Sequence, residues 1–261
     1  MTAASRANVV SSFTISKGAM IAETYAVLAA WDFERTKREN LDRLRQENFI
    51  GAASATWLAD VAKVLNRRFD PLGRDRGLTL LAKGGCDLDQ WKPVLLWHLT
   101  RDEFLVRDFL INWLFPAYEA GTYRVRPEDL RGYLESIAAR GGSTEHGWTE
   151  NTHKRVAAGL LKIAADFGLL KGTIAKELCS YHLPEPSFLY LLHALRDETP
   201  SPRKVIDSLE WRMFLMGPAD VERELLRLHQ FRKVEFEVAG SLVHLKLPCD
   251  TARAYAERMV A

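Results

Sequence analysis

The sequence predicts a mainly α-helical protein with helix-turn-helix or winged-helix elements and short β-hairpin wings. Three observations support this fold class. A helix-turn-helix pattern lies near the N-terminus, a capped amphipathic helix lies in the middle, and three helices followed by an alternating hairpin lie near the C-terminus. With 261 residues, 47% of them apolar, the chain is long enough to build a substantial core.

The N-terminal region, residues 13–72, is predicted to be a helical helix-turn-helix-like unit. Small and apolar residues indicate a first helix over 16–31, and a charged amphipathic segment indicates a second over 32–48. Ser54 or Thr56 caps a third helix that extends to about residue 70. Its predicted outer face carries three cations, Lys63, Arg67 and Arg68. We consider these three residues candidates for DNA contact, with a solvated basic face as the alternative.

The central region, residues 73–183, begins with a glycine-rich stretch over 73–87 that predicts a loop. Apolar residues over 88–118 then predict buried helices. Pro127 stands at the expected first position of the next helix, which should end at Gly141-Gly142.

The most informative segment is WTENTHKRVAAGLLKIAADFGLLKG, residues 148–172. Thr149, with Thr152 as the alternative, is suited to cap a helix that ends at Gly168. The spacing predicts a buried stripe of Val156, Leu160, Ile163, Ala164 and Phe167. The opposite face carries the candidate nucleic-acid-binding residues Asn151, Lys154, Arg155 and Lys162.

A short strand at Leu169-Leu170 and a partner within residues 173–182 are predicted to follow this helix as a wing. A polar, basic helix start followed by a strand is typical of a winged-helix recognition unit, and a helix N-terminus favours phosphate. The alternative is an ordinary surface helix packed on a helical core.

The C-terminal region, residues 184–261, is predicted to be a second winged-helix-like unit. Helices are expected over 186–198, 201–217 and 217–231. Strong alternation over 232–248 then predicts a β-hairpin that turns near Ala239-Gly240, before a last helix over 250–260.

Local motifs for catalysis, metal binding or cofactor binding are missing from the sequence. It has no phosphate-binding glycine loop, nucleophile elbow or paired metal ligands, so we predict a protein that is not an enzyme and uses no metal or cofactor. Its three cysteines are widely separated, which favours a reducing cytoplasm. Charges interrupt the most apolar region, 91–115, so no membrane span is expected.

Two segments resemble the BrxA family of bacteriophage-exclusion (BREX) systems. They are FTISKGAMIAETYAVLAAW, followed by a charged helix and ENFIGAASATWLADVAKVLNRRFD, and the later WTENTHKRVAAGLLKIAADFGLL. The resemblance implies a soluble, mostly helical accessory protein that binds DNA without catalytic residues and works with other phage-defence proteins. The family's likeness to helical RNA-binding antitermination factors adds RNA as an alternative target.

Three functions follow from these observations. The first is a non-catalytic component that binds double-stranded DNA with weak sequence preference, mainly through phosphates. The second is a protein-interaction adaptor within the defence complex, and the third is an RNA-binding module. The net charge of only +2 means that DNA binding requires the cations to gather on one surface.

Overall fold

A computed structural model describes residues 10, 15, 17–137, 147–173, 175–240 and 242–261. The protein is mainly α-helical with small antiparallel sheets, as the sequence predicts. The helices of the N-terminal half are α1 (Ile21–Ala29), α2 (Lys37–Glu47), α3 (Ala55–Arg68), α4 (Arg76–Lys83), α5 (Leu88–Thr100), α6 (Phe104–Phe109), a π-helical turn (Leu110–Leu114) and α7 (Phe115–Glu119).

The central elements are β1 (Arg124–Val125), a 3-10 turn (Pro127–Leu130), α8 (Arg131–Glu135), α9 (Glu150–Asp166), β2 (Leu170–Lys171) and β3 (Lys176–Leu178). The C-terminal elements are α10 (Glu185–Glu198), α11 (Pro202–Ile206), a 3-10 turn (Leu209–Phe214), α12 (Pro218–Gln230), β4 (Glu235–Ala239), β5 (Leu242–Lys246) and α13 (Ala252–Met259).

The predicted N-terminal helices are present, although each is shorter than expected. Thr36 caps α2 through a reciprocal hydrogen-bond pair with Glu39, so this helix starts after the residues that the charge pattern included. Ser54 caps α3 by accepting a hydrogen bond from the Trp57 amide. The predicted inward face of α3 is buried, which confirms the pattern for Leu58, Val61, Ala62 and Leu65.

The loop predicted over residues 73–87 is wrong, because α4 occupies most of it. Gly77 lies inside this helix, where a Cβ atom would come within 2.5 Å of the Tyr190 hydroxyl. The glycine therefore serves close packing rather than a turn. The glycine content predicted a loop from local propensity alone, but the tertiary contact with Tyr190 outweighs that preference, as often happens in short helices.

The central sheet has the strand order β1-β3-β2, with both pairings antiparallel. The predicted pairing of the strand after α9 with a partner in residues 173–182 is confirmed by β2 and β3. The sequence pattern does not predict β1, a strand of two residues whose Arg124 is paired with Glu177. The predicted helix end at Gly141-Gly142 lies outside the described residues.

The C-terminal region contains the predicted hairpin, in which Ala239 is paired with Leu242 on either side of Gly240. The single helix predicted over 201–217 is wrong, because it divides into α11 and a 3-10 turn. Ser208 caps the 3-10 turn by accepting a hydrogen bond from the Glu210 amide. The Trp211 indole donates a hydrogen bond to the Val205 carbonyl at 2.7 Å. These local bonds replace a continuous helical ladder.

A contiguous core of buried apolar residues extends from Val10 to Ala256. Helix α13 packs against both α4 and α10. Consistent with this packing, a Cβ atom on Gly84, just after α4, would collide with Val260. The division of the chain at residues 72 and 183 stays a prediction.

Candidate nucleic-acid interface

Helix α9 is built as the sequence predicts. Thr149 adopts an extended backbone and its side chain accepts a hydrogen bond from the Thr152 amide. At the other end Gly168 has a φ of 80°, the left-handed conformation that suits glycine after a helix. The predicted apolar stripe is buried in full: Val156, Leu160, Ile163, Ala164 and Phe167. This face holds the helix against the core.

The opposite face of α9 exposes all four of its candidate residues, Asn151, Lys154, Arg155 and Lys162. Two of the cations have acidic partners one turn away. Lys154 Nζ lies 3.1 Å from Glu150, and Lys162 Nζ lies 3.1 Å from Asp166. The hydrogen bond from Lys154 lowers the pKa of the Glu150 carboxyl.

Arg155 differs from the other two cations of this face, because it has no ion-pair partner within the described part of the chain. It lies in the second turn of α9, close to the positive end of the helix dipole. The positive charge available to a ligand is therefore concentrated toward the start of α9.

Ile15 and Lys17, in the segment that precedes α1, lie against α9 and α3 respectively. Lys17 pairs with Asp60 of α3 at 2.5 Å. On the other side, Gly159 of α9 leaves space for Ile15, which a Cβ atom at this position would approach to 2.6 Å. This segment therefore links the helix that carries Lys63 and Arg67 to α9.

Lys63 and Arg67 are exposed on α3, as predicted, but Arg68 is not. The prediction that Arg68 lies on the outer face is wrong, since its side chain is 0% exposed. Its Nε donates to Glu103 at 3.1 Å, and its terminal nitrogens donate to the Gly18 carbonyl at 3.1 Å. Helical spacing groups Arg68 with Lys63 and Arg67 on the outer face, and the sequence does not reveal the buried carboxylate 35 residues away.

A cavity of about 320 Å³ lies between α8 and the start of α9. Trp148 and His153 form one wall, with their rings 5.6 Å apart in an edge-to-face arrangement. Arg131 and Lys154 also line it. Lys154 was a candidate from the sequence, but Trp148 and His153 were not, because Trp148 precedes the helix and belongs to no periodic pattern.

A buried network of Asp75, His98 and Tyr190 was also missed. His98 Nδ1 lies 2.5 Å from Asp75, and its Nε2 lies 2.9 Å from the Tyr190 hydroxyl. Burial lowers the pKa of His98, an effect that the neighbouring carboxylate only partly opposes. The three residues are too far apart in sequence to form a motif, and their polar atoms satisfy one another in the core.

Together these observations define a helical protein with a helix–strand–helix–helix–hairpin unit that presents a polar, partly basic helix. A family model described as BrxA matches residues 11–194. The chain therefore belongs to the BrxA family, and membership implies a component of a BREX phage-defence system. No curated protein matches the chain. Among the described residues, no helix is both long enough and apolar enough to cross a membrane.

Proposed function

We propose that this protein is a non-catalytic, cytoplasmic component of a BREX system that binds double-stranded DNA with weak sequence preference. Helix α9 is the main contact, and other defence proteins are its partners. The observation that carries the proposal is the exposed face of Asn151, Lys154, Arg155 and Lys162 on a helix whose opposite side is fixed in the core.

The order of elements around α9 supports a winged-helix unit. Helices α6 and α7 precede β1, α8 and α9 follow, and β2 and β3 form a hairpin whose second strand is central in the sheet. In helix-turn-helix proteins the second helix of the pair enters the major groove with its N-terminal residues toward the DNA. By that analogy α9 is the recognition helix, and the β2–β3 turn is the wing.

The chemistry of the face supports phosphate contact more than base contact. Lys154 and Arg155 carry charge near a helix N-terminus, where phosphate is favoured. Asn151 is the one amide side chain of the face, and a single amide provides little sequence discrimination. Glu150 and Asp166 offset part of the positive charge, so we expect modest affinity with strong salt dependence.

Lys63 and Arg67 extend the proposed interface. They lie on α3, which is linked to α9 through the segment around Lys17. Arg68 is no longer a candidate because it is buried. The hydrogen bonds among the buried Asp75, His98 and Tyr190 are consistent with a structural role for these three side chains.

The test compares duplex binding by the wild type and by the double variant Lys154→Ala/Arg155→Ala across a salt series. We expect the double variant to bind unrelated duplexes more weakly, by a similar factor for each sequence. In a plot of log affinity against log salt concentration, the slope should become less steep by about 0.9 for each lost phosphate contact. Core packing should persist, because both side chains are exposed.

The matched control is Arg38→Ala/Arg45→Ala, which removes two exposed cations from α2 and should leave the salt slope near that of the wild type. Unchanged affinity and slope in a folded Lys154→Ala/Arg155→Ala protein would reject α9 as the contact. Equal losses in both double variants would indicate a general charge effect.

A further inference from the structure

The C-terminal unit contains a cleft of about 860 Å³, within the size range of ligand-binding sites. It lies between the start of α10, the end of α12, the base of the β4–β5 hairpin and α13, and Gln90 of α5 also lines it. Most of its lining follows residue 194, where the match to the family model ends.

The charges of this cleft favour an anion. Four cationic side chains line it, Arg232, Lys233, Lys246 and Arg258, against two carboxylates, Glu185 and Glu235. The carboxylates are already engaged, Glu185 with Arg227 and Lys233, and Glu235 with Lys246 at 2.7 Å. Arg232 and Arg258 have no ion-pair partner within the described ranges.

The backbone at Arg232 adopts a left-handed conformation that a residue with a Cβ atom rarely adopts. Arg232 has a φ of 57°, and its amide bonds the His229 carbonyl while the Lys233 amide bonds the Leu228 carbonyl. This is the ending of a helix at which glycine is preferred, because a Cβ atom disfavours the left-handed conformation. An arginine occupies this position in place of glycine, and it lines the cleft.

The remaining lining distinguishes between anionic ligands. Apolar side chains, among them Leu247, Pro248 and Met259, form part of the wall. The aromatic ring in the lining, that of Tyr255, is buried and stacked on His193 at 4.7 Å, so it does not offer a free face to a nucleobase. A concave cleft also suits a single extended chain better than the convex backbone of a duplex.

We propose that this cleft docks an acidic peptide segment that also carries apolar residues, supplied by a partner protein. Arg232 and Arg258 bind its carboxylates, and the wall of Leu247, Pro248 and Met259 receives its apolar side chains. This docking site is separate from the DNA contact on α9.

The test uses fluorescence anisotropy with a short fluorescein-labelled peptide of alternating Glu and Leu. A Lys-Leu peptide of equal length and a labelled DNA duplex serve as comparison probes. Of the three probes, we expect only the Glu-Leu peptide to bind saturably at this site. The double variant Arg232→Gly/Arg258→Gln should bind this peptide roughly tenfold more weakly.

The Arg232→Gly substitution separates ligand binding from stability. Glycine is preferred in the left-handed conformation, so the single variant should unfold at the same temperature as the wild type or higher while binding the peptide more weakly. Arg223→Ala, which removes an exposed cation of α12 outside the cleft, should keep wild-type affinity.

The proposal fails if the Glu-Leu peptide does not bind, if the double variant binds it as tightly as the wild type, or if the Lys-Leu peptide binds equally well. Duplex binding that depends on Arg232 and Arg258, without peptide binding, would identify the cleft as a nucleic-acid site instead.

Discussion

Replacing Arg68 tests the most consequential difference between the sequence pattern and the structure. The pattern places this arginine on the outer face of α3, whereas the structure buries it against Glu103 and the Gly18 and Ala19 carbonyls. Arg68→Ala would leave the Glu103 carboxylate, 4% exposed, without its cation. Breaking a buried pair in this way costs about 3–5 kcal/mol.

That loss converts to a large thermal shift. A protein of this size loses about 2–4 °C in Tm per kcal/mol, so Arg68→Ala should unfold about 6–20 °C below the wild type. The carbonyls of Gly18 and Ala19 would also lose their donor, and the segment between α3 and α9 would loosen. Thermal and urea unfolding, each followed by circular dichroism, measure the change in stability.

The neighbouring substitution Arg67→Ala provides the control, because this side chain is exposed on the same helix. It should change Tm little and, if α3 contributes to the interface, weaken duplex binding. A folded Arg68→Ala protein with wild-type Tm and selectively reduced DNA affinity would refute the burial argument and restore Arg68 as a contact residue.

Three further substitutions test other parts of the structure. Glu150→Gln frees the lysine one turn away and should strengthen duplex binding by about twofold in an anisotropy titration; equal or weaker binding would contradict the proposed role of α9. Gly77→Ala should lower the free energy of unfolding in urea by about 1–3 kcal/mol, because the added Cβ meets the Tyr190 hydroxyl. The control Gly132→Ala has open space around the added Cβ and should be neutral or stabilising. Equal effects of the two substitutions would contradict the packing role of Gly77. Burial lowers the pKa of His98, so the folded protein binds a proton on this side chain less readily than the unfolded chain does, and stability should fall as pH drops below about 6.5. His98→Asn should make the free energy of unfolding depend less on pH, and an unchanged pH dependence would contradict this explanation.

Features set by local spacing were predictable from the sequence. The stripe from Val156 to Phe167, the cap at Thr149 and the hairpin turn at Gly240 each depend on residues within a few positions of one another. Such signals survive folding because the local preference and the tertiary packing agree.

Features set by distant partners were not predictable. Arg68 meets a carboxylate 35 residues away, and His98 meets a tyrosine 92 residues away. Gly77 marks a turn in the sequence and a helix contact in the structure, because its neighbour is Tyr190. No spacing rule within one helix reports which of its boundary residues will find such a partner.

Helices α9 and α12 each precede a hairpin, but their exposed sides differ. The outer side of α9 exposes Lys154 and Arg155, whereas that of α12 exposes Leu226, 51% accessible, and the adjoining hairpin exposes Leu242, 75% accessible. The cations of α12 are paired with carboxylates, Arg223 with Asp220 and Arg227 with Glu224 and Glu185.

The helices that precede the two hairpins thus present different chemistry on their exposed sides. A phosphate backbone gains little from an exposed leucine. Both arginines of α12 are ion-paired, whereas Arg155 of α9 has no ion-pair partner among the described residues, so the α12 face is the poorer site for DNA. Exposed apolar side chains such as Leu226 and Leu242 are instead typical of a surface that contacts protein. The difference between the two helices therefore supports a division in which the central unit contacts DNA and the C-terminal unit contacts protein.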